Sequence, residues 1–133
     1  MWNYISVLLQ VNQEIVNDTA KLMIHRLVAR ALARDPSLVE RAKTLAAHNA
    51  QRYPARDFVR QWDSLLKLPL AQIRSRLTSR DPDMYRLRLS SPFALVEELG
   101  LADENLRRRI GRAARRIAER RASHAAVAAI LAP

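Results

Sequence analysis

The chain has 133 residues, a formal net charge of +10 and a hydrophobic content of 49%. This length is enough for one domain with a real core, and the hydrophobic content excludes a disordered basic tail. The chain has no cysteine, which excludes disulfides, thiolate chemistry and cysteine-based zinc sites. Its only glycines are Gly100 and Gly111, which argues against hairpin-rich β folds and glycine-rich phosphate loops. Alanine and leucine dominate the apolar residues, which predicts an all-α chain.

The first segment, residues 2–16, carries no charge before Glu14. Its apolar residues fit one face of a helix, but some of them also alternate as in a strand: Ile5, Val7, Leu9 and Val11. We favour a helix and keep the strand as the alternative. In either case the segment is too apolar to stand in water alone, so it belongs to the core or to a dimer or partner interface.

The segment lacks the basic start and the small-residue cleavage site of a signal peptide. The longest late apolar run, residues 125–132, is far shorter than the ~20 residues of a membrane span. We therefore expect a cytoplasmic protein without a membrane partner.

Apolar periodicity predicts the next two helices. The first covers about residues 19–34, with Asp18 or Thr19 as its cap and His25 outside its apolar face. That face is predicted to contain Ile24, Leu27, Val28 and Ala31. The sequence Asp35-Pro36 then predicts a capped helix start, and the helix ends before Pro54.

Residues 55–66 predict a third amphipathic helix, in which Trp62 is the largest core candidate. A short helix follows Pro69, with one face formed by Leu70, Ile73 and Leu77. Residues 79–83 predict a turn. After a short irregular or helical segment, Ser91 and Pro92 predict a capped helix start, and Gly100 predicts its left-handed end.

The last quarter of the chain carries the strongest functional signal. Residues 102–122 contain eight arginines: Arg107, Arg108, Arg109, Arg112, Arg115, Arg116, Arg120 and Arg121. On a helix capped by Asp103, most of them lie opposite a narrow stripe formed by Leu106, Ile110, Ala113, Ile117 and His124. Residues 101–133 carry +5 of the net charge of +10, so we divide the chain into a helical bundle (1–100) and a basic C-terminal helix or extension (101–133).

Four interpretations of this helix stay open. Arginine forks suit phosphate or carboxylate, so the partner is nucleic acid or an acidic protein groove, with nucleic acid ranked slightly higher. A merely solvated face, or a compositional bias toward arginine, is the simplest interpretation and ranks above both. A membrane surface ranks last because the apolar stripe lacks the large anchors of interfacial helices. A second candidate basic patch surrounds Tyr85 and contains Arg74, Arg76, Arg80, Arg86 and Arg88, although a solvated face with aspartate partners explains it more simply.

We find no signature of catalysis. The three histidines, His25, His48 and His124, are scattered and do not form the pair of a metalloprotease helix. Ser91 is explained as a cap, and no serine lies in a nucleophile-elbow sequence. We therefore predict a protein that is not an enzyme and that has no cofactor or metal.

Five strings of residues 25–94 carry a family resemblance: His25-Arg26-Leu27-Val28-Ala29, Asp35-Pro36-x-Leu38, Trp62-x-x-Leu65-Leu66-x-x-Pro69-Leu70, Leu77-x-Ser79-Arg80 and Leu87-Arg88-x-Ser90-Ser91-Pro92-Phe93-Ala94. In these strings the chain resembles a group of small uncharacterised bacterial proteins. Several of them look like antitoxins or small transcriptional regulators of toxin–antitoxin pairs. The resemblance implies an antitoxin-like role and assigns no functional residue. The arginine helix lies outside it.

Taken together, these features predict a compact all-α bundle of five to seven helices that ends in a basic amphipathic helix and forms a homodimer. The leading function is an antitoxin-like or regulatory protein that binds a cognate protein, such as a toxin encoded nearby, and DNA through its arginine helix. The alternative is a purely structural or protein-interaction module whose basic helix docks on an acidic protein surface. A small enzyme ranks last.

Overall fold

The computed structural model describes residues 12–132, and all regular structure in that range is helical. The six α-helices are α1 (Gln13–Arg34), α2 (Leu38–Arg52), α3 (Asp57–Leu66), α4 (Leu70–Leu77), α5 (Pro82–Leu87) and α6 (Glu104–Leu131). Three 3-10 turns lie between α5 and α6: Arg88–Ser90, Pro92–Leu95 and Glu97–Leu99. The prediction of an all-α bundle with a C-terminal basic helix is confirmed. The helix-or-strand alternatives for residues 2–11 lie outside the described residues.

Helix α1 begins earlier than the sequence predicts. Asn12 is its cap, because its side chain accepts a hydrogen bond from the Glu14 backbone N–H at 2.8 Å. Asp18 and Thr19 lie inside the helix, and the Thr19 hydroxyl donates to the Ile15 carbonyl at 2.8 Å. The predicted cap was therefore wrong, because a threonine hydroxyl can bond to the carbonyl one turn earlier as readily as it caps.

The buried side of α1 also differs from the predicted one. It consists of Val16, Thr19, Leu22, His25, Val28, Ala29 and Leu32. His25 was predicted to lie off the apolar face but is buried, whereas Leu27 was predicted to point inward but is 36% exposed. Because α1 packs against α4, α5 and α6, it buries a wider arc than a helix with one partner.

Trp62 lies at the centre of the main core and is 2% exposed. Its prediction as a core residue is therefore confirmed. Its indole N–H donates to the Leu87 carbonyl and to Ser90 Oγ, both at 3.2 Å. The ring meets Phe93 edge to face with 6.2 Å between ring centroids. Because a buried indole N–H needs a partner, these bonds fix the end of α5 and the following turn against α3.

The segment after Ser91 forms two 3-10 turns instead of the predicted α-helix. Val96 interrupts it with an extended backbone (φ −75°, ψ 110°), and both Phe93 and Val96 are buried in the core. Gly100 ends the segment in the left-handed region at φ +65°, as predicted. The Ser91 side chain makes no capping hydrogen bond, so its predicted role as a helix cap is wrong.

Helix α6 packs along α1 through a second apolar cluster. The buried members of this cluster are Val16, Ala114 and Ala118, with Ala20 and Met23 packed against them. The Asp103 carboxylate caps α6 as predicted and accepts from the backbone N–H groups of Asn105 (2.8 Å) and Leu106 (3.4 Å). The division of the chain at residue 100 stays a prediction.

The predicted stripe of α6 is right in its first turns and wrong in its last. Ile110 is buried, and Leu106, Ala113 and Ile117 are half-buried. His124, however, is exposed. The packed line instead follows the small residues Ala114 and Ala118, which let the two helix backbones approach each other.

Substitution by alanine should have opposite effects on the free energy of unfolding at the two glycines. A Cβ at Gly111 would meet nothing within 4 Å, and its φ is not positive. Gly111→Ala should therefore raise the free energy of unfolding by about 0.5–1 kcal/mol, because alanine is the better helix former. Gly100→Ala should lower it by about 1–2 kcal/mol, because Cβ is strained in the left-handed region. Urea unfolding of both variants measures the two effects, and a reversed sign in either would contradict this account.

Candidate nucleic-acid interface

All eight arginines of α6 are exposed to solvent. The helical repeat of 3.6 residues places six of them on an arc of about 140°, opposite the side that packs on α1. We call this arc the arginine face, and it contains Arg108, Arg109, Arg112, Arg115, Arg116 and Arg120. Arg107 and Arg121 instead project on the same side of the helix as Ala114 and Ala118. The bundle therefore presents the six arginines of the arginine face in one direction.

Within residues 12–132, hydrogen bonds to other residues hold three of the eight arginines. Arg107 Nε donates to the Leu101 carbonyl at 3.1 Å. Arg108 pairs with Glu104 at 2.7 Å, one turn away in the same helix. Arg115 reaches across to α1 and donates to Gln13 Oε1 at 2.8 Å. These contacts lie at the start of α6 and at the border with α1.

Within residues 12–132 the centre of the arginine face forms no ion pair, although Glu119 projects on the same arc. Among residues 12–132, no carboxylate lies within 4 Å of Arg109, Arg112, Arg116 or Arg120. Residues 1–11 contain no acidic side chain that could fill this role. Like charges spaced four residues apart on a helix are destabilising by about 0.2–0.5 kcal/mol per pair. The arrangement therefore weakens the isolated helix, and a bound anion would relieve this repulsion.

The length of the face matches a polyanion better than a single small anion. From Arg108 to Arg120 a helix rises by about 18 Å. Over that distance double-stranded DNA carries roughly ten phosphate charges. Several guanidinium forks can therefore contact successive phosphates at once.

The second basic patch that the sequence suggested is not formed as predicted. Arg80 and Arg86 are exposed, but Arg88 is only 1% exposed and so cannot contact a partner. Arg88 Nη1 donates to the carbonyls of Leu77 (3.1 Å) and Ser79 (2.8 Å). Its guanidinium lies 4.6 Å from the centre of the Tyr85 ring. Arg88 is thus a structural residue that ties the end of α4 to α5.

The structure also reveals a buried histidine–serine pair that the sequence did not suggest. His25 Nδ1 lies 2.7 Å from the Lys21 carbonyl, and Nε2 lies 2.7 Å from Ser91 Oγ. Because a carbonyl only accepts, Nδ1 carries the proton and Nε2 accepts from the serine hydroxyl. Both side chains are buried, so the pair fastens α1 to the turn before Pro92.

Burial lowers the pKa of His25 from 6.5 to about 4. The hydrogen bond to the Lys21 carbonyl opposes this shift, and the positive charges of Arg88 and Lys21 add to it. No local sequence signal could have revealed the pair, since its partners are 66 residues apart.

Two further classes of site find no support in residues 12–132. In that range no three His, Asp or Glu side chains converge on a point where they could hold a metal ion. No helix of that range combines the length and apolarity that a bilayer crossing requires.

No protein-family model, curated protein or solved structure matches this chain. The resemblance of residues 25–94 to antitoxin-like proteins therefore stays a prediction.

The lowered pKa of His25 predicts a loss of stability in mild acid. Its folded-state pKa is about 4 and its ordinary value is 6.5, so between these values the unfolded chain binds more protons. The stability contributed by neutral His25 is complete above pH 6.5 and declines as the pH falls toward 4. Across this pH range the free energy of unfolding should change by an amount on the order of 3 kcal/mol.

Urea unfolding at several pH values measures this effect. The His25→Gln variant should have a flatter pH dependence than the wild type between pH 4 and 6.5. The exposed His48→Gln variant is the control and should keep the wild-type slope. Equal slopes in the wild type and His25→Gln would contradict the assignment.

Proposed function

We propose that this protein binds nucleic acid through the arginine face of α6. The observation that carries the proposal is a one-sided row of exposed arginines whose central members have no carboxylate within 4 Å among residues 12–132. The opposite side of the helix is fixed on α1 through Val16, Ala114 and Ala118. The helix that carries the charges is therefore already ordered before a ligand binds, and only the arginine side chains have to be ordered on binding.

The proposed contacts are to phosphates and not to bases. Guanidinium forks match phosphate oxygens, and such contacts position a protein on nucleic acid without reading its sequence. We propose no operator and no base-reading helix. Binding of this kind releases counterions, so its affinity falls steeply with salt.

The resemblance of residues 25–94 supports an antitoxin-like or regulatory role, in which a non-enzymatic homodimer also binds a cognate protein. The end of α6 offers an apolar surface suited to such a contact. Its exposed members are Val127 (50%), Ile130 (56%) and Leu131 (77%). Three large apolar side chains exposed together at the end of one helix favour a contact with another protein over exposure to solvent.

The central test measures the affinity for a labelled DNA duplex by fluorescence anisotropy across a series of salt concentrations. The variant Arg109→Gln/Arg112→Gln/Arg116→Gln removes three charges from the centre of the arginine face. Its slope of log affinity against log salt should be shallower than that of the wild type by about 2–3, since each lost phosphate contact changes the slope by about 0.9. Its affinity at low salt should fall at least about tenfold.

The matched control is Arg34→Gln/Arg52→Gln/Arg56→Gln, which has the same net charge as the test variant but an intact α6. It should keep most of the wild-type slope. Equal losses in the two variants would show that net charge alone drives binding, and absence of wild-type binding at low salt would reject nucleic acid as the partner. An acidic protein would then be the favoured occupant of the arginine face.

The partner-protein part of the proposal has its own test. Expression from the native operon should yield the protein together with the product of a neighbouring gene in a fixed ratio. Ile130→Glu/Leu131→Glu should abolish this co-purification, while Arg34→Gln should not. Recovery of the wild-type protein alone would count against an antitoxin-like role and would leave the nucleic-acid proposal standing.

A further inference from the structure

A second cluster of arginines surrounds a depression of about 450 Å³ between α1 and α4. We call it the α1–α4 depression. Helices α1 and α4 line it with Arg26, Ala29, Arg30, Ala71, Arg74, Ser75 and Thr78. None of these residues belongs to α6, and only Arg74 also belongs to the patch that the sequence suggested around Tyr85.

One arginine of the depression is fixed in place. Arg74 is half-buried, and its Nε donates to the Ala29 carbonyl of α1 at 2.8 Å. This bond crosses the interface between the two helices and uses only the Nε–H. The two terminal Nη groups remain as donors for a ligand.

The other two arginines lie one helical turn apart on α1. Arg26 and Arg30 are both exposed, and they meet Arg74 at the rim of the same depression. Among residues 12–132, no carboxylate lies within 4 Å of any of the three. None of the lining residues is acidic, so three positive charges converge without compensation.

The remaining lining residues make room for an anion and add a donor. Ala29 and Ala71 have small side chains, which leave the floor of the depression open. The Thr78 hydroxyl lies 3.3 Å from the carbonyls of Arg74 and Ser75 and is engaged within its own helix. The Ser75 hydroxyl is the additional donor. Three guanidinium groups and a hydroxyl around a small-residue floor suit a tetrahedral oxyanion.

We propose that the α1–α4 depression binds a phosphate group. The phosphate comes either from a small phosphate monoester or from the backbone of a nucleic acid. The inference does not rest on the function proposed for α6, because the two sites share no residue.

The first experiment measures the binding of inorganic phosphate by calorimetry, with sodium chloride of equal ionic strength as the reference. The wild type should bind phosphate, and Arg26→Gln/Arg30→Gln should bind it at least about tenfold more weakly, because hydrogen bonds to charged groups are lost. Two exposed side chains are changed, so the fold should persist. Arg74→Lys keeps the charge but loses the fork, and it should also weaken binding.

Two controls separate this site from general charge effects. Arg34→Gln/Arg56→Gln removes the same charge from exposed positions outside the depression and should bind phosphate like the wild type. The α6 variant Arg109→Gln/Arg112→Gln/Arg116→Gln should also bind it like the wild type. If α6 does not bind nucleic acid, phosphate binding at the α1–α4 depression should still be observed. If the depression does not bind phosphate, nucleic-acid binding by α6 should still be observed.

Two further binding experiments decide whether the phosphate belongs to a nucleic acid or to a small monoester. With a DNA duplex, a shallower salt slope in Arg26→Gln/Arg30→Gln, by about 2, would identify the nucleic-acid backbone. With O-phosphoserine as the probe, tighter binding than inorganic phosphate and an unchanged DNA slope would identify a monoester. The proposal is overturned if phosphate has no effect beyond that of chloride, or if the Arg34→Gln/Arg56→Gln control loses phosphate equally.

Discussion

The packing of α6 on α1 is the contact on which the proposed function depends. Ala114 and Ala118 are fully or almost fully buried against α1, and their small size lets the two helices approach closely. Without this contact α6 would be a free helix, and the arginine face would have no fixed orientation relative to the rest of the bundle. Alanine buries little apolar area, however, so the contact needs additional support. The hydrogen bond from Arg115 to Gln13 of α1 supplies part of it.

The region between α5 and α6 depends on buried polar side chains more than on regular helix. Trp62 bonds to the end of α5, His25 bonds to Ser91, and Arg88 bonds to two carbonyls at the end of α4. Arg88 is the costliest of these residues, because its buried Nε and Nη2 have no hydrogen-bond partner within residues 12–132. Its place over the Tyr85 ring compensates for part of the lost hydration.

Local sequence rules predicted the parts of this fold that local physics controls. Examples are the Asp103 cap, the left-handed Gly100 and the buried Trp62, each of which depends on nearby chain or on strong amphipathic periodicity. The burial of His25 could not be predicted, because Ser91 satisfies it from a distant part of the chain. The partial burial of Arg74 could likewise not be predicted, because it depends on the packing of α4 against α1. Alanine-rich α6 left its packed line ambiguous, since neighbouring alanines serve almost equally well.

Because the proposed function depends on one face of one helix, the most direct measurement observes that face residue by residue. NMR spectra of the arginine Nε–Hε groups can be recorded while a DNA duplex is added at low salt. The signals of Arg109, Arg112 and Arg116 should shift most, and the backbone signals of α2 and α3 should stay in place. Shifts spread evenly over the exposed arginines of the whole chain, or confined to residues outside α6, would contradict the proposed function.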